Sequence, residues 1–271
     1  MNAFVGLVRL DESQISGNIE DRIASGLVGR RTSAATISRS PHGLIAQETR
    51  SKTYGGFTFQ PKPHGTERFL FAAAARLDNR EELGTEFGID RLELAQFSDA
   101  KLIMHAFESG GDAALGKIVG AFAFAAWDEH LRRLFLARDC LGNVSLFFHA
   151  QPEFVAFATT LNALLALPCV PREIDEVMLG HFLALNLREK RLTLYRGIER
   201  VPSRTGVTID HAGIRHDQFW APNLQAQPAY AREQDYVEKA RDLLDQAVTA
   251  AMRDTPRAAL LLSGGLDSSA I

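Results

Sequence analysis

Cysteine is nearly absent. The 271 residues hold two, Cys140 and Cys169, too few for a disulfide framework, so a reducing, cytoplasmic setting is the expectation. A strong charge of either sign is missing too. Thirty Lys and Arg face 33 Asp and Glu, for a formal net charge of −3. That argues against a nucleic-acid partner, which normally selects a basic surface. The densest basic stretch, Arg188 to Arg191, is interrupted by Glu189 and reads as a solvated loop. No apolar run approaches the roughly 20 residues of a membrane span. Met1 to Gly6 shows no charged leader followed by a long apolar core, which argues against a secretory signal. Gly-x-x-x-x-Gly-Lys-Ser/Thr, Gly-x-Gly-x-x-Gly and His-Glu-x-x-His are all absent, the partial match at Gly111 to Lys117 being followed by Ile118, which removes the Walker A, dinucleotide and zinc-protease readings. His211 and His216 have no metal-ligand spacing.

What remains is an ordinary globular composition, 46% apolar and 23% charged, long enough for one large domain or two smaller ones. The first half alternates short apolar runs with turns. Ala3 to Leu10 and Phe69 to Ala75 are strand candidates. Ser98-Asp99 offers an N-cap to a helix with a Leu102, Ile103, Ala106, Phe107 stripe, ended by Gly110-Gly111. Ala121 to Trp127 and Arg133 to Arg138 flank a turn, with phenylalanine on alternate positions, as in a hairpin. Ser145 to His149 and Phe154 to Ala158 form a second strand pair. Helices are expected from Leu161 to Leu167, closed by Pro168, and from Asp175 to Leu187. Strand-like pieces follow at Thr193 to Tyr195 and Gly206 to Ile209.

Residues 221–231, rich in proline and alanine but without periodicity, read as a linker. Behind it, Tyr236-Val237, Ala240, Leu243-Leu244, Ala247-Val248 and Ala251-Met252 repeat at helical spacing. The run Ala258 to Leu262 is short enough to be a buried parallel strand. It leads into Ser263-Gly264-Gly265-Leu266-Asp267-Ser268-Ser269. A strand, a Gly-Gly turn and a helix start form a phosphate-cradling arrangement: the glycines permit positive φ, the backbone N–H groups approach oxygens, and two serines add hydroxyls. A plain serine-capped turn is the bland alternative.

Ser263 to Ser268 match the SGGxDS signature of the ATP pyrophosphatases, and Leu243 to Ile271 resemble the opening of the synthetase domain of asparagine synthetases. The first half is similar to the glutaminase-type domain of the same family. Its landmarks are Leu77-Asp78-Asn79-Arg80-Glu81-Glu82-Leu83, Ser98-Asp99, Gly120 to Asp128, Arg138 to Gly142, Leu161 to Pro171, Leu194 to Pro202 and Trp220. The resemblance implies an α+β chain. Residues 1–220 would form an αββα sandwich of the N-terminal-nucleophile type, 221–232 a linker, and 233–271 the start of an α/β ATP pyrophosphatase domain. It also implies ATP and Mg²⁺, with Ser263, Gly264, Gly265, Asp267 and Ser268 holding the departing pyrophosphate and Asp267 helping to place Mg²⁺. A substrate carboxylate is adenylated in that chemistry and then opened by an amine. The remainder of the synthetase domain is expected beyond Ile271 or on a partner chain.

Four positions depart from the family. Its glutamine-hydrolysing members place a nucleophilic cysteine directly after the initiator methionine; here the residue is Asn2, which cannot attack. Aligned on Leu77-Asp78-Asn79, Ala74-Ala75-Arg76 stands where the glutaminase has Asn-Gly-Glu. Ala74 therefore lacks the oxyanion donor, and Arg76 reverses the charge of the substrate-holding Glu. Asp99, which in working members binds the glutamine amine, is retained. Cys140, in a turn with no histidine close in the pattern, reads as packing. The resemblance thus implies an amide ligase that adenylates a carboxylate substrate without hydrolysing glutamine. Relatives that lost the cysteine include β-lactam synthetases and lasso peptide cyclases, whose amine lies on the same substrate, so a precursor peptide is an expected partner. The alternatives are an ammonia-using asparagine synthetase and a non-catalytic binding module.

Overall fold

The computed structural model of the chain describes residues 3–15, 19, 23, 34–49, 52–54, 57–59, 64–65, 69–186, 189–225, 230–253 and 259–271. The chain divides into two compact units, Met1–Ala221 and Pro222–Ile271. In the first unit the described strands are β1 (Phe4–Arg9), β2 (Ala34–Ser40), β3 (Gly43–Thr49), β4 (Lys52–Tyr54), β5 (Phe57–Phe59), β6 (His64–Gly65), β7 (Phe69–Leu77), β8 (Gly120–Asp128), β9 (Arg133–Arg138), β10 (Phe147–Ala150), β11 (Phe154–Ala158), β12 (Glu199–Arg200), β13 (Thr205–Asp210) and β14 (Gly213–Gln218). Helices α1 (Arg80–Glu86), α2 (Arg91–Gln96) and α3 (Asp99–Leu115) lie between β7 and β8. Helices α4 (Leu161–Leu165) and α5 (Glu176–Leu183) follow β11.

Two six-stranded sheets carry the fold, in the orders β12-β10-β11-β1-β3-β2 and β14-β13-β9-β8-β7-β6. Period-2 alternation sorts their side chains into layers. From β7 and β8, Leu70, Ala72, Ala74, Ala121, Ala123, Ala125 and Trp127 point between the sheets, where they meet Phe4, Val8, Ile45, Phe148 and Phe157. The alternate residues Phe71, Phe122 and Phe124 turn outward to Leu102, Ile103 and Leu115 of α3. The outer face of the first sheet, with Val5, Leu7 and Ala156, packs on Leu164, Leu167 and Ile198. Helix, sheet, sheet, helix is the expected αββα order. Of the phenylalanines from Phe122 to Phe157, all expected in the core, 122, 124, 135, 147, 148 and 157 are buried and Phe154 is only partly so. Within the first sheet, Gly6 leaves room for the ring of its cross-strand partner: a Cβ there would sit 2.3 Å from Cζ of Phe157.

Most expected elements are present with shifted ends. Ser98 caps α3 through Lys101 N at 3.1 Å. Gly111 breaks α3 with φ 55° and ψ −144°, but the chain resumes helix as far as Leu115. The expected helix from Asp175 stops at Leu183, because Leu185 takes a positive φ of 55°. Two expectations are overturned. Thr193 to Tyr195 is no strand: the Thr193 hydroxyl donates to Ile198 O at 2.9 Å and folds the segment into bends, with isolated bridges at Leu192 and Tyr195. In the second unit, whose helices are α6 (Glu233–Met252) and α7 (Leu266–Ala270), the described part of the expected strand, Ala259 to Leu262, is not strand either. A buried parallel strand needs neighbours on its edges and cover on both faces. Among the described residues of that unit there is no second strand, and Leu261 is 91% exposed.

Candidate functional site

The residues expected to form a glutamine pocket cluster on β7 and just beyond it. Ala74 is buried between the sheets, paired with Ala123 of β8. Its methyl group offers no hydrogen to an oxyanion. Arg76, two residues on and on the same face, turns to Asp78, with Nη2 to Oδ2 at 3.2 Å. Beside them, buried Gln47 of β3 crosses from the other sheet and donates through Nε2 to Ala73 O at 2.8 Å. Asn2 lies outside the described residues.

Asp99 opens α3 and is brought to the end of β7. Its Oδ2 accepts from Leu77 N at 2.9 Å, and its Oδ1 pairs with Arg80 Nη1. Arg80 also donates through Nη2 to Leu94 O at 2.8 Å and Phe97 O at 2.7 Å. Both side chains are mostly buried. One charged pair therefore ties the end of β7, the start of α1 and the loop between α2 and α3. The carboxylate retained from the family pattern thus holds two elements of the fold together. Arg80 lies within the recognised Leu77–Leu83 landmark, yet spacing alone does not reveal that it reaches Asp99, 19 residues away.

Two further landmarks are structural clamps. Asn79 donates to Lys117 O at 2.9 Å and accepts from Val119 N at 2.9 Å. Fully buried Asp139 accepts from the backbone N–H groups of Leu141, Asn143 and Val144 at 3.0–3.2 Å, closing the turn after β9. Cys140 in that turn is half-buried; burial, followed by the adjacent Asp139, pushes its thiol up. Burial raises the Cys169 thiol as well. Neither cysteine has the depressed pKa of a nucleophile.

The second candidate, Ser263 to Ser269, lies in the second unit. Gly264 has φ +80°, in the region closed to most side chains, and open space surrounds its α-carbon. The Ser263 and Ser268 hydroxyls are 3.1 Å apart, and Ser263 N donates to Ser268 Oγ at 3.3 Å. Ser269 Oγ donates to Gly265 O at 2.9 Å as α7 begins. The loop thus gathers two hydroxyls beside a glycine turn, a donor set suited to phosphate oxygens. Asp267 sits in the first turn of α7. Among the described residues no three His, Cys, Asp or Glu side chains are grouped to hold a metal ion. A Mg²⁺ at Asp267 would accordingly need phosphate and water for most of its ligands. No membrane-length apolar helix occurs among the described residues.

Comparison with known proteins agrees with these two units. A family model described as a glutamine amidotransferase domain matches residues 56–220, and one described as asparagine synthase matches 239–271. Glutamine-hydrolyzing asparagine synthetase 3 of Bacillus subtilis is 29% identical over 196 residues, covering 72% of this chain and 32% of that protein. A Mycobacterium bovis protein provisionally named as a glutamine-hydrolyzing asparagine synthetase is 30% identical over 224 residues, covering 77% of this chain and 33% of that protein. The chain spans about a third of the length of these curated relatives. In fold, the solved structure of glutamine phosphoribosylpyrophosphate amidotransferase from B. subtilis, complexed with ADP and GMP, superposes with a TM-score of 0.53 at 13% identity. That match covers 81% of this chain and 50% of the other. The chain belongs to the glutamine amidotransferase domain family, and its last residues match the beginning of an asparagine synthase domain.

Proposed function

We propose that the protein is an ATP-dependent amide-forming ligase whose amidotransferase-type domain does not hydrolyse glutamine. It would adenylate a carboxylate for attack by an amine carried on the same substrate, in the manner of a lasso peptide cyclase, with a precursor peptide as partner. The observation that carries this reading is the state of β7 and α3. Ala74 takes the place of the oxyanion donor, Arg76 that of the substrate-holding Glu, and the Asp99 carboxylate is engaged by Arg80 and Leu77 N. Loss of a single oxyanion donor costs on the order of 10²–10³ in rate. Asn2 in place of the nucleophile compounds that loss. An amine on the substrate itself removes the need for released ammonia, and proximity lowers much of the entropic barrier.

In the second unit, Ser263, Gly264, Gly265 and Ser268 would hold the phosphates, and Asp267 would help to place Mg²⁺. ATP would supply the activating adenylyl group. The serine hydroxyls and backbone donors of this chain would stabilise the leaving pyrophosphate.

The test has two arms. Incubated with glutamine, the protein should release no glutamate above buffer; turnover abolished by a substitution at Asn2 would overturn the reading. In the protein that carries this chain with a whole synthetase domain, substrate-dependent pyrophosphate release should fall at least tenfold in Asp267→Ala. A variant as active as the parent would remove Asp267 from the site.

A further inference from the structure

Among the described residues, strand β14 closes one side of the second sheet and pairs only with β13. The phase of that ladder follows from two facts: Asp210 and Gly213 pair directly across the two-residue loop His211-Ala212, and Phe219 N donates to Arg204 O at 3.1 Å. Antiparallel residues alternate between bonded and non-bonded pairs. The odd-numbered residues 213, 215 and 217 therefore direct their N–H and C=O to β13. Ile214, His216 and Gln218 direct theirs to the open edge. An open row of this kind is a template for another strand unless its side chains forbid pairing.

On β14 the side chains permit one partner in particular. Arg215 and Asp217 stand on one face, two residues apart, with side chains 64% and 45% exposed. Among the described edge strands no other has opposite charges at that spacing. A strand running antiparallel in the register that sets His216 opposite itself would place Arg215 against Asp217 and Asp217 against Arg215. Ile214 would face Gln218 at both ends. The edge is thus complementary to itself in both charge and hydrogen-bonding phase. Within one copy Arg215 Nε bonds Asp217 Oδ2 at 2.9 Å, and Asp112 of α3 lies near enough to feel both charges, so the spot meeting the incoming guanidinium carries two carboxylates against one resident guanidinium.

We infer that β14 is a homodimer interface: two copies of this chain pair edge to edge about a twofold axis through His216, forming one continuous twelve-stranded antiparallel sheet. His216, Ile214 and Gln218 supply the backbone hydrogen bonds. The two Arg215–Asp217 cross-strand pairs fix the register.

Sedimentation equilibrium of the full 271-residue chain tests this, with 29.8 kDa as the monomer mass. The expected result is a reversible species of twice that mass. Arg215→Asp or Asp217→Arg alone sets like charges opposite each other, which should weaken association roughly tenfold or more. The double variant R215D/D217R restores opposite charges and should recover most of it. Gln218→Pro removes an N–H that points away from β13, so the monomer should keep its circular dichroism while dimerisation is lost. A chain that stays monomeric at every concentration overturns the proposal. So does a dimer indifferent to both single charge reversals and to Gln218→Pro, which would place the contact elsewhere.

Discussion

At the scale of single residues, Asp99 has the best-defined contacts of the candidate pocket. Asp99 keeps its place in the family pattern while its two oxygens bind Arg80 and Leu77 N. Asp99→Asn should accordingly act as a stability mutation: breaking a largely buried charged pair costs about 3 kcal/mol, readable as a lower urea midpoint. A variant with unchanged stability and altered glutamine binding would return Asp99 to the ligand pocket. The cysteines offer a second test. Burial favours the neutral thiol at Cys140 and Cys169, so iodoacetamide at pH 8 should modify the native protein several-fold more slowly than the urea-unfolded chain. Equal rates would contradict the burial. Much of this site was legible in the sequence, because Ala74, Arg76 and the Ser263–Ser268 loop are identified by contiguous residues. Arg80 on Asp99 and Gln47 on Ala73 O were not, since both contacts join residues far apart in the chain.

At the scale of elements, legibility followed the strength of the apolar period. The β8–β9 hairpin announces itself because one face of β8 meets helices and the other meets a sheet, and both faces are therefore apolar. Strands β2, β3 and β14 gave no such signal. Ala34–Ser40 and Gly213–Gln218 are mostly polar edge strands, and the ladder that makes them strands lies on a neighbour rather than in their own pattern. The apolar run before Ser263 failed in the opposite direction: it has the residues of a buried strand without a described neighbour. Glycine gives two predictions of different origin. At Gly111 an added Cβ meets nothing within 4 Å, so Gly111→Ala isolates the cost of its backbone angles, about 1–3 kcal/mol. At Gly6 the backbone is ordinary strand but the methyl would strike the Phe157 ring, so Gly6→Ala should cost about 1–3 kcal/mol through overpacking. Thermal melts of the two variants check the magnitudes. Adding Phe157→Leu should recover stability in the Gly6 variant and none in the Gly111 variant.

At the scale of the whole molecule, the polar ties at the rims of the two sheets make stability depend on pH. His42, in the turn between β2 and β3, pairs through Nδ1 with Glu129 in the turn between β8 and β9, while Arg132 Nη2 reaches His42 Nε2 at 3.0 Å. Burial alone would raise Glu129, but bonds from Ser40, His42 and Trp127 outweigh it and hold the carboxyl below its ordinary value. At the far edge of the same sheet, burial and then Arg191 lower His216, against the weaker opposing pull of Glu199 and Asp217. Both groups act in the same direction. A folded-state pKa below the unfolded one means that the unfolded chain binds more protons between the two values, so stability rises with pH across that interval. The His216 contribution is present above about pH 6.5 and is lost as pH falls below it. The Glu129 contribution is lost in a second interval below about pH 4.5. The melting temperature should therefore fall in two stages on acidification. The chain contains eight histidines, so the assignment rests on a difference: His216→Gln should flatten the upper stage and leave the lower one, while Glu129→Gln should lower the neutral plateau and flatten the lower stage. An upper stage unchanged in His216→Gln would move that proton to another histidine and leave the polar edge at β14 without a part in acid stability.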